Sequence, residues 1–450
     1  MNGIEVRAAS ALAVVYVLRM LGLFMVMPVL AISAQSYPDY SPLYVGLAIG
    51  GYGLTQALLQ IPMGMLSDRW GRKPVILLGL VVFSLGSFVA AYADSMSMMI
   101  CGRILQGAGA IAGAIMALAS DVSRETQRAK VMAIIGIAIG FSFYLAVLVG
   151  PLLASSLGLS GIFSVTGILA LCCLPLVKWG VPNPVNQLAS GDMLPQRSQL
   201  KSLVFSSQLW RLNVSVMILH LYITLLFVQL PTTLLAFDMT LDSQWHLYLP
   251  TLVLSVVGMA VLMRMSPGKT PTKTLMVSVA LMAISFGVML VFAQQWWWVF
   301  VAVTVFFIGF NYLEANFPAL VSSIAPAGEK GTAMGIYASF QFFGAFLGGL
   351  LSGVISDSYS PSLVYVVGIV GALLWLWLLA GLKPVDKVKR VMLHGDFSQD
   401  NSVVVKQSLE QLPGVVETTV ASQDQVVYLK VTAEFDINQA QLVVNAQESI

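Results

Sequence analysis

Charge is scarce in this chain. Its 450 residues include 23 basic and 21 acidic side chains, 10% of the total, against roughly 25% in an ordinary soluble domain. So few charges cannot cover the surface of a water-soluble protein of this length, which excludes a soluble multi-domain enzyme and a disordered chain. Cysteine is also sparse: Cys101, Cys172 and Cys173 all lie in apolar runs, and none has a C-x-x-C partner. A disulfide framework and a zinc site are excluded, and the three read as small buried hydrophobes. A net charge of +2 is too small to imply nucleic acid. What remains is a 58% hydrophobic chain with a mean hydropathy of +0.84, whose main solvent is lipid.

Twelve mostly apolar runs lie near residues 8–32, 43–66, 74–93, 96–119, 131–155, 160–180, 211–236, 245–265, 273–293, 296–322, 332–354 and 360–382. Each is about the 20 residues needed to cross a bilayer as a helix, and lipid admits no open sheet edge. The expected fold is an all-α polytopic membrane protein with twelve transmembrane helices. Ala31-Ile-Ser-Ala34 looks like a signal-cleavage site. However, the first run is too long for a cleaved signal, and Arg19 interrupts it. With the N-terminus inside, 19 of the 23 basic residues fall in the even-numbered loops or at the two ends of the bundle. Lys406 and Lys430 lie in the tail, Arg19 and Arg103 lie within spans, and the odd-numbered loops hold none. Those loops carry Asp39, Asp94, Asp238, Asp242 and Asp357 instead. The positive-inside rule then puts both termini in the cytoplasm of a multi-pass inner-membrane protein.

The longest loop, about 181–210, is rich in Pro, Ser, Asn and Gln. It divides the bundle into two six-helix halves, 1–180 and 211–385. Glu125-Thr-Gln-Arg128-Ala-Lys-Val-Met132 after span four is echoed by Glu329-Lys330-Gly-Thr-Ala-Met334 after span ten, an offset of 202 residues. Repeated halves suggest a transporter whose site lies between them at mid-membrane. Residues 386–450 differ in composition and read as strand, helix, two strands and helix. This is a small cytoplasmic α+β domain of ferredoxin-like βαββα order. Leu412-Pro-Gly-Val-Val416 looks like part of a heavy-metal-carrier domain, but the tail has no cysteine. A regulatory ligand, or packing on the cytoplasmic face, is expected of it.

Between spans two and three lies Gly64-Met-Leu-Ser-Asp68-Arg69-Trp-Gly71-Arg72-Lys73. Gly71 permits a tight turn and Gly64 a close helix contact. Asp68 sits at a helix C-terminus, where a negative charge is unfavourable unless paired, and Arg72 and Lys73 can pair it. A basic cytoplasmic loop alone would be unspecific, but the full pattern resembles the loop signature of the major facilitator superfamily. Arg103-Ile-Leu-Gln106-Gly107 and the Asp121…Arg128 pair are similar to that family's other elements. So are Gly136, Gly140, Gly150 and Pro151 in span five, although Leu152-Leu-Ala-Ser155 replaces the glycine pair of the antiporter signature. With the tail included, the chain resembles the YajR-type branch of drug/proton antiporter-like facilitators. That resemblance implies alternating access and proton-coupled efflux of a small molecule. It also implies a conformational latch at Asp68, Arg72 and Asp121 that stabilises the outward-facing state, with Gly107, Gly140, Gly150 and Pro151 in helix packing.

Within the spans, each charged or polar group is a functional candidate, because a mid-bilayer charge costs at least about 2.5–3.5 kcal/mol. The candidates for a proton or substrate cavity are Arg19, Arg103, His220, Glu314, Asn311, Asn316 and Gln341. Arg103 is alternatively satisfied by backbone carbonyls, and His220 by an interhelical hydrogen bond. Glu314 is the acid deepest in a span. A carboxyl in a dehydrated cavity favours its neutral form and can load and release a proton. No nucleophile–base set, metal cluster or phosphate loop appears. The expectation is therefore a carrier, not an enzyme, without cofactor or metal, with the proton as coupling ion, and monomeric in the bilayer. Uncoupled or symport-type uptake, and a transporter-like sensor signalling through the tail, remain alternatives.

Overall fold

The computed structural model describes residues 1–123, 125–182, 203–265, 272–326, 330–383, 389–395, 402–421, 426–432 and 435–448. The region from 183 to 202 and the second-half counterpart of the loop motif around Gly268 lie outside these. Ten of its helices are long and apolar enough to cross a membrane. One of them, Lys130–Gly180, has 51 residues and would be about 77 Å long if straight, more than twice the hydrocarbon thickness. It reverses at Gly158, whose φ is +67°, and so supplies spans five and six. Span two is Pro42–Trp70, 29 residues long, its hydropathy diluted by five glycines and two glutamines. The twelve spans expected from the sequence are thus present.

Two spans are broken. Span one runs Gly3–Phe24 and resumes at Met27–Ser33, with Pro28 in the first turn of the second segment. Span four runs Met96–Ala108 and resumes at Ala112–Asp121. The remaining spans are Arg72–Ala91, Leu209–Leu235, Trp245–Met265, Thr272–Phe292, Trp296–Ile324, Lys330–Ser358 and Leu363–Ala380.

The sequence echo has a structural counterpart. In the first half, Arg7 of span one donates to the Trp179 carbonyl at the end of span six, at 2.8 Å. In the second half, Arg211 of span seven donates to the Leu378 carbonyl in the last turn of span twelve, also at 2.8 Å. Each arginine satisfies an orphan carbonyl and opposes the negative end of a helix dipole. These contacts mark one face of the bundle, the basic face, while Asp39, Asp94, Asp238, Asp242 and Asp357 lie toward the acidic face.

The halves meet on the acidic side. Span two crosses span eleven there, with Gly46 against Gly349, Gly50 against Phe346 and Gly353 against Leu43. Met27 and Val147 of the first half join the apolar core of the second, and Val228 of the second joins that of the first. On the basic side the same two helices part: nothing lies within 4 Å of a Cβ placed on Gly64 of span two or Gly335 of span eleven. The bundle is therefore closed on its acidic side and open toward its basic side. Large apolar side chains such as Leu374, Trp377 and Val257 are exposed on the rim, as lipid contact requires. Cys101 and Cys172 are exposed too, which corrects the expectation that all three cysteines are buried. An apolar run in a span has a lipid face as well as a core face.

The tail forms β1 (Lys389–His394), helix Ser402–Glu410, β2 (Val415–Ala421), β3 (Val426–Val431) and helix Ile437–Glu448. Its antiparallel sheet has the order β1-β3-β2. The core is its own, built from Leu393, Val405, Leu409, Val427, Leu429 and Val444. Asp436 accepts from the Asn438 amide at the start of the last helix, as an N-cap residue does.

Candidate functional site

Three spans of the second half bring three polar side chains together near mid-membrane. They are His220 of span seven, Glu314 of span ten and Gln341 of span eleven. The Gln341 amide nitrogen lies 2.7 Å from His220 Nε2 and 3.4 Å from Glu314 Oε1. Glu314 Oε2 lies 3.8 Å from His220 Nε2. His220 Nδ1 faces the Val216 carbonyl, four residues back on its own helix, at 3.2 Å. With the Gln341 N–H donating, Nε2 is the acceptor, the arrangement of the tautomer that carries its proton on Nδ1. Tyr337, one turn from Gln341, has a buried hydroxyl within electrostatic reach of Glu314.

Arg19 and Arg103 are not part of this group, contrary to their assignment to a common cavity. Both are 1% exposed and enclosed in the first half. Arg19 donates through Nη2 to Tyr52 Oη at 3.1 Å, to Gln56 Oε1 at 3.0 Å and to the Gly109 carbonyl at 3.4 Å. That carbonyl belongs to the break in span four, so the arginine serves backbone that the broken helix leaves without a partner. Gln56 in turn donates to Gln60. Arg103 donates to the Ala48 carbonyl at 3.0 Å and to Gln106 Oε1 at 2.8 Å, and lies over the Tyr52 ring. Among the described residues neither arginine pairs with a carboxylate. Neutral acceptors hold Arg103 without the cost of desolvating a second charge, whereas Nε and Nη1 of Arg19 are buried with no hydrogen-bond partner among the described residues.

The asparagines separate as well. Asn311 donates to Ser255 Oγ of span eight at 3.0 Å, whereas Asn316 bonds the Tyr312 carbonyl of its own helix. Five residues apart on a helix, they cannot share a face.

At the loop motif the structure places Asp68, Arg72 and Asp121 in one ion cluster. Arg72 Nη1 pairs with Asp68 Oδ1 and donates to Ser67 Oγ, and Arg72 Nε reaches Asp121 Oδ2 at 3.0 Å. The side chains of Asp68 and Arg72 are each 10% exposed and that of Asp121 16%. Gly71 makes the turn with φ +92°, in the left-handed region that suits glycine. Lys73 donates to the Val181 carbonyl beyond span six at 2.6 Å, and Arg69 is exposed. The Arg128 side chain lies outside the described residues. All three members of the cluster come from the first half, so the cluster ties spans two, three and four to one another and does not by itself bridge the halves.

Of the packing residues, Gly107 abuts the Tyr52 carbonyl and Thr55, and Gly150, followed by Pro151, abuts Met25. Gly64 and Gly140 have nothing within 4 Å, which corrects the expectation of a close helix neighbour at each.

A feature absent from the candidate set is an aromatic cluster at the centre of the bundle. Phe143 of span five has ring contacts with Phe24 and Tyr144 of its own half and with Phe227, Phe307 and Phe310 of the other. Phe310 in turn lies 6.1 Å from the His220 ring. The sequence signal was the helical spacing of Phe306, Phe307 and Phe310, which by itself is also that of a core-facing stripe.

The profile of the Major Facilitator Superfamily matches residues 12–270 and 269–405. The inner membrane transport protein YajR of Escherichia coli K12 is 37% identical over 443 residues, covering 97% of each chain. Among solved structures, the nucleoside transporter NupG superposes with a TM-score of 0.68 at 13% identity, over 84% of this chain and 100% of that one. A D-xylose–proton symporter superposes at 0.66 and 15% identity, over 84% and 98%. At these identities the two structures show the fold.

Proposed function

The chain belongs to the Major Facilitator Superfamily, whose members are secondary transporters, and from that premise we propose that it exports a small molecule in exchange for protons. It does so by alternating access from the inner membrane, with both termini cytoplasmic. The basic face is then the cytoplasmic face, and the structure corresponds to an inward-open state.

The observation that carries this reading is the His220–Gln341–Glu314 contact. The group contains a carboxyl and an imidazole, joined by an amide that can present either a donor or an acceptor. With Glu314 ionised and His220 neutral, the Gln341 N–H₂ serves both. A proton that binds His220 Nε2 turns that acceptor into a donor, and the Gln341 amide then rotates to present its oxygen, whereas a proton on Glu314 Oε2 leaves Oε1 to accept from Gln341. Gln341 sits on span eleven, the helix that crosses span two on the acidic side, so the protonation state bears on the helix that closes the protein to the outside. Asp68, Arg72 and Asp121 act in this scheme as the cytoplasmic latch, holding spans two to four as one body that rocks against the second half.

Reconstituted vesicles with an imposed pH gradient test the reading. Wild-type protein shows gradient-driven substrate flux accompanied by proton movement, and Glu314→Gln abolishes the proton movement. Equal coupling in wild type and Glu314→Gln sinks the assignment.

A further inference from the structure

We propose that Tyr337 receives the proton-loaded carboxyl: once a proton binds Glu314 Oε2, that O–H donates to Tyr337 Oη and joins span ten to span eleven at a second point. This rests on the proton-coupled reading and adds a positioning residue to it. The two oxygens of Glu314 are unlike. Oε1 accepts from the Gln341 amide at 3.4 Å. Oε2 is turned into the protein and has no hydrogen-bond partner among the described residues, although the side chain as a whole is 37% exposed. The Tyr337 hydroxyl is buried without a partner as well, on a residue 3% exposed and within electrostatic reach of Glu314. Tyr337 and Gln341 are four residues apart on span eleven and so share one face of that helix. One carboxyl therefore meets two side chains of one helix, a turn apart. Of those two, only Gln341 is bonded to it in this inward-open state.

Chemistry decides which form of the carboxyl uses the tyrosine. A protonated Oε2 is an O–H donor and needs an acceptor. His220 Nε2, 3.8 Å away, already accepts from the Gln341 amide at 2.7 Å. The Tyr337 hydroxyl has its lone pairs unspent. Burial also favours a bond between two neutral groups over one that keeps a charge away from water. Other titratable groups on the helices around Glu314 lie elsewhere. Spans eight and nine pack on span ten and carry theirs, His246, Tyr248, Arg264 and Lys273, toward their ends. Arg211 of span seven and Lys330 and Asp357 of span eleven are also near helix ends. Tyr222 of span seven bonds the Gly368 carbonyl, and Tyr144 of span five bonds Ser255 and Asn311. Tyr312 is two residues back on span ten, toward another face. Loading a proton thus adds a link between spans ten and eleven, and releasing it removes that link. Span eleven also crosses span two on the acidic side, so the link acts on the helix that closes the bundle there.

The test is infrared difference spectroscopy of full-length purified protein, titrated with protons alone. Wild type, Tyr337→Phe and Tyr337→Gln are compared, with melting temperature and monodispersity recorded for each. In every background, subtracting the spectrum of the same protein carrying Glu314→Gln isolates the C=O band of the protonated Glu314 carboxyl. Wild type shows that band. In Tyr337→Phe, which keeps the ring, the band moves to higher frequency because the O–H has lost its acceptor. The pH at which the band half-forms falls by the amount expected for proton binding weakened about threefold to tenfold. Tyr337→Gln, which restores an acceptor, moves both quantities back toward wild type. Tyr337→Met, more adaptable in a core, takes the place of Tyr337→Phe if the latter does not fold. A band unchanged in frequency and midpoint in Tyr337→Phe overturns the proposal and leaves the proton role of Glu314 standing. A raised midpoint overturns it too, because the hydroxyl then serves the ionised carboxylate. If no Glu314-dependent band forms at any pH at which the protein is folded, the proton reading fails and the proposal with it.

Discussion

Gly46 and Gly349 cross so closely that a methyl group built on either would overlap the carbonyl oxygen of the other. This contact lies on the acidic side, between span two of one half and span eleven of the other, and is flanked by Gly50 against Phe346, Gly53 against Phe342 and Gly353 against Leu43. Small residues allow two backbones to approach in this way within a membrane.

Gly349→Ala therefore opens the acidic side. The backbones cannot yield locally along a seam of four such contacts, so the helices separate. With the three native cysteines replaced, a cysteine introduced at Leu43 becomes severalfold more reactive to an impermeant maleimide in the Gly349→Ala background. Unchanged reactivity would show that the seam does not hold the closed state.

Asp68→Asn leaves Arg72 with Asp121 and Ser67, and Asp121→Asn leaves it with Asp68. Each single change costs about 1.5–3 kcal/mol, the range for a hydrogen bond to a charged group. Because only the double variant strips Arg72 of both carboxylates, it loses more than the two single losses together. Thermal denaturation in one detergent measures this, and strict additivity would mean that the cluster does not act as a unit.

Gln341→Leu removes the amide shared by His220 and Glu314. The loss of one such bridge, ~1.4 kcal/mol, corresponds to about a tenfold fall in proton-coupled flux. Gln341→Asn, which keeps the amide on a shorter stem, falls between Leu and wild type. Equal flux in all three proteins would remove Gln341 from the mechanism.

Asp39, in the loop before span two, accepts from the Met96 and Ser97 amides and the Ser97 hydroxyl at the start of span four. The Met96 amide, ahead of the Ser97 groups, holds its carboxyl below the ordinary aspartate range. A lowered folded-state value means that the charge contributes stability above the ordinary value, ~3.9. That contribution is lost as the pH falls through the lower, folded-state one. Asp39→Asn consequently melts earlier than wild type at pH 7, and the gap closes only below about pH 4. A gap independent of pH would show that the ionised carboxylate is not what caps the helix.

Much of the architecture was legible in the chain. Twelve apolar runs gave twelve spans because a bilayer fixes the length of a helix that must cross it. The tail's order of strand, helix, two strands and helix came out as read, since period-two and helical spacing differ. The Asp68–Arg72 pair was legible as well, because a short loop leaves its charges little freedom and Gly71 allows one turn, whereas Asp121, on span four, entered only through the resemblance to the family. The candidates inside the spans were less legible. Arg19, Arg103 and Glu314 look alike in sequence, each a charge in an apolar run, yet two are enclosed by carbonyls and amides and one stands beside a histidine.

The sequence by itself determined that this is a polytopic helical carrier with two repeated halves, a charged loop on one face and a small terminal domain. Those features follow from local composition, periodicity and the placement of charge. Tertiary structure alone decided which side of the bundle is closed, which glycines meet, and that His220, Glu314, Gln341 and the rings around Phe143 share the centre. These are contacts between helices tens to hundreds of residues apart. They depend on the rotation of each helix about its axis and on how two rigid halves tilt, and no single span's sequence encodes either.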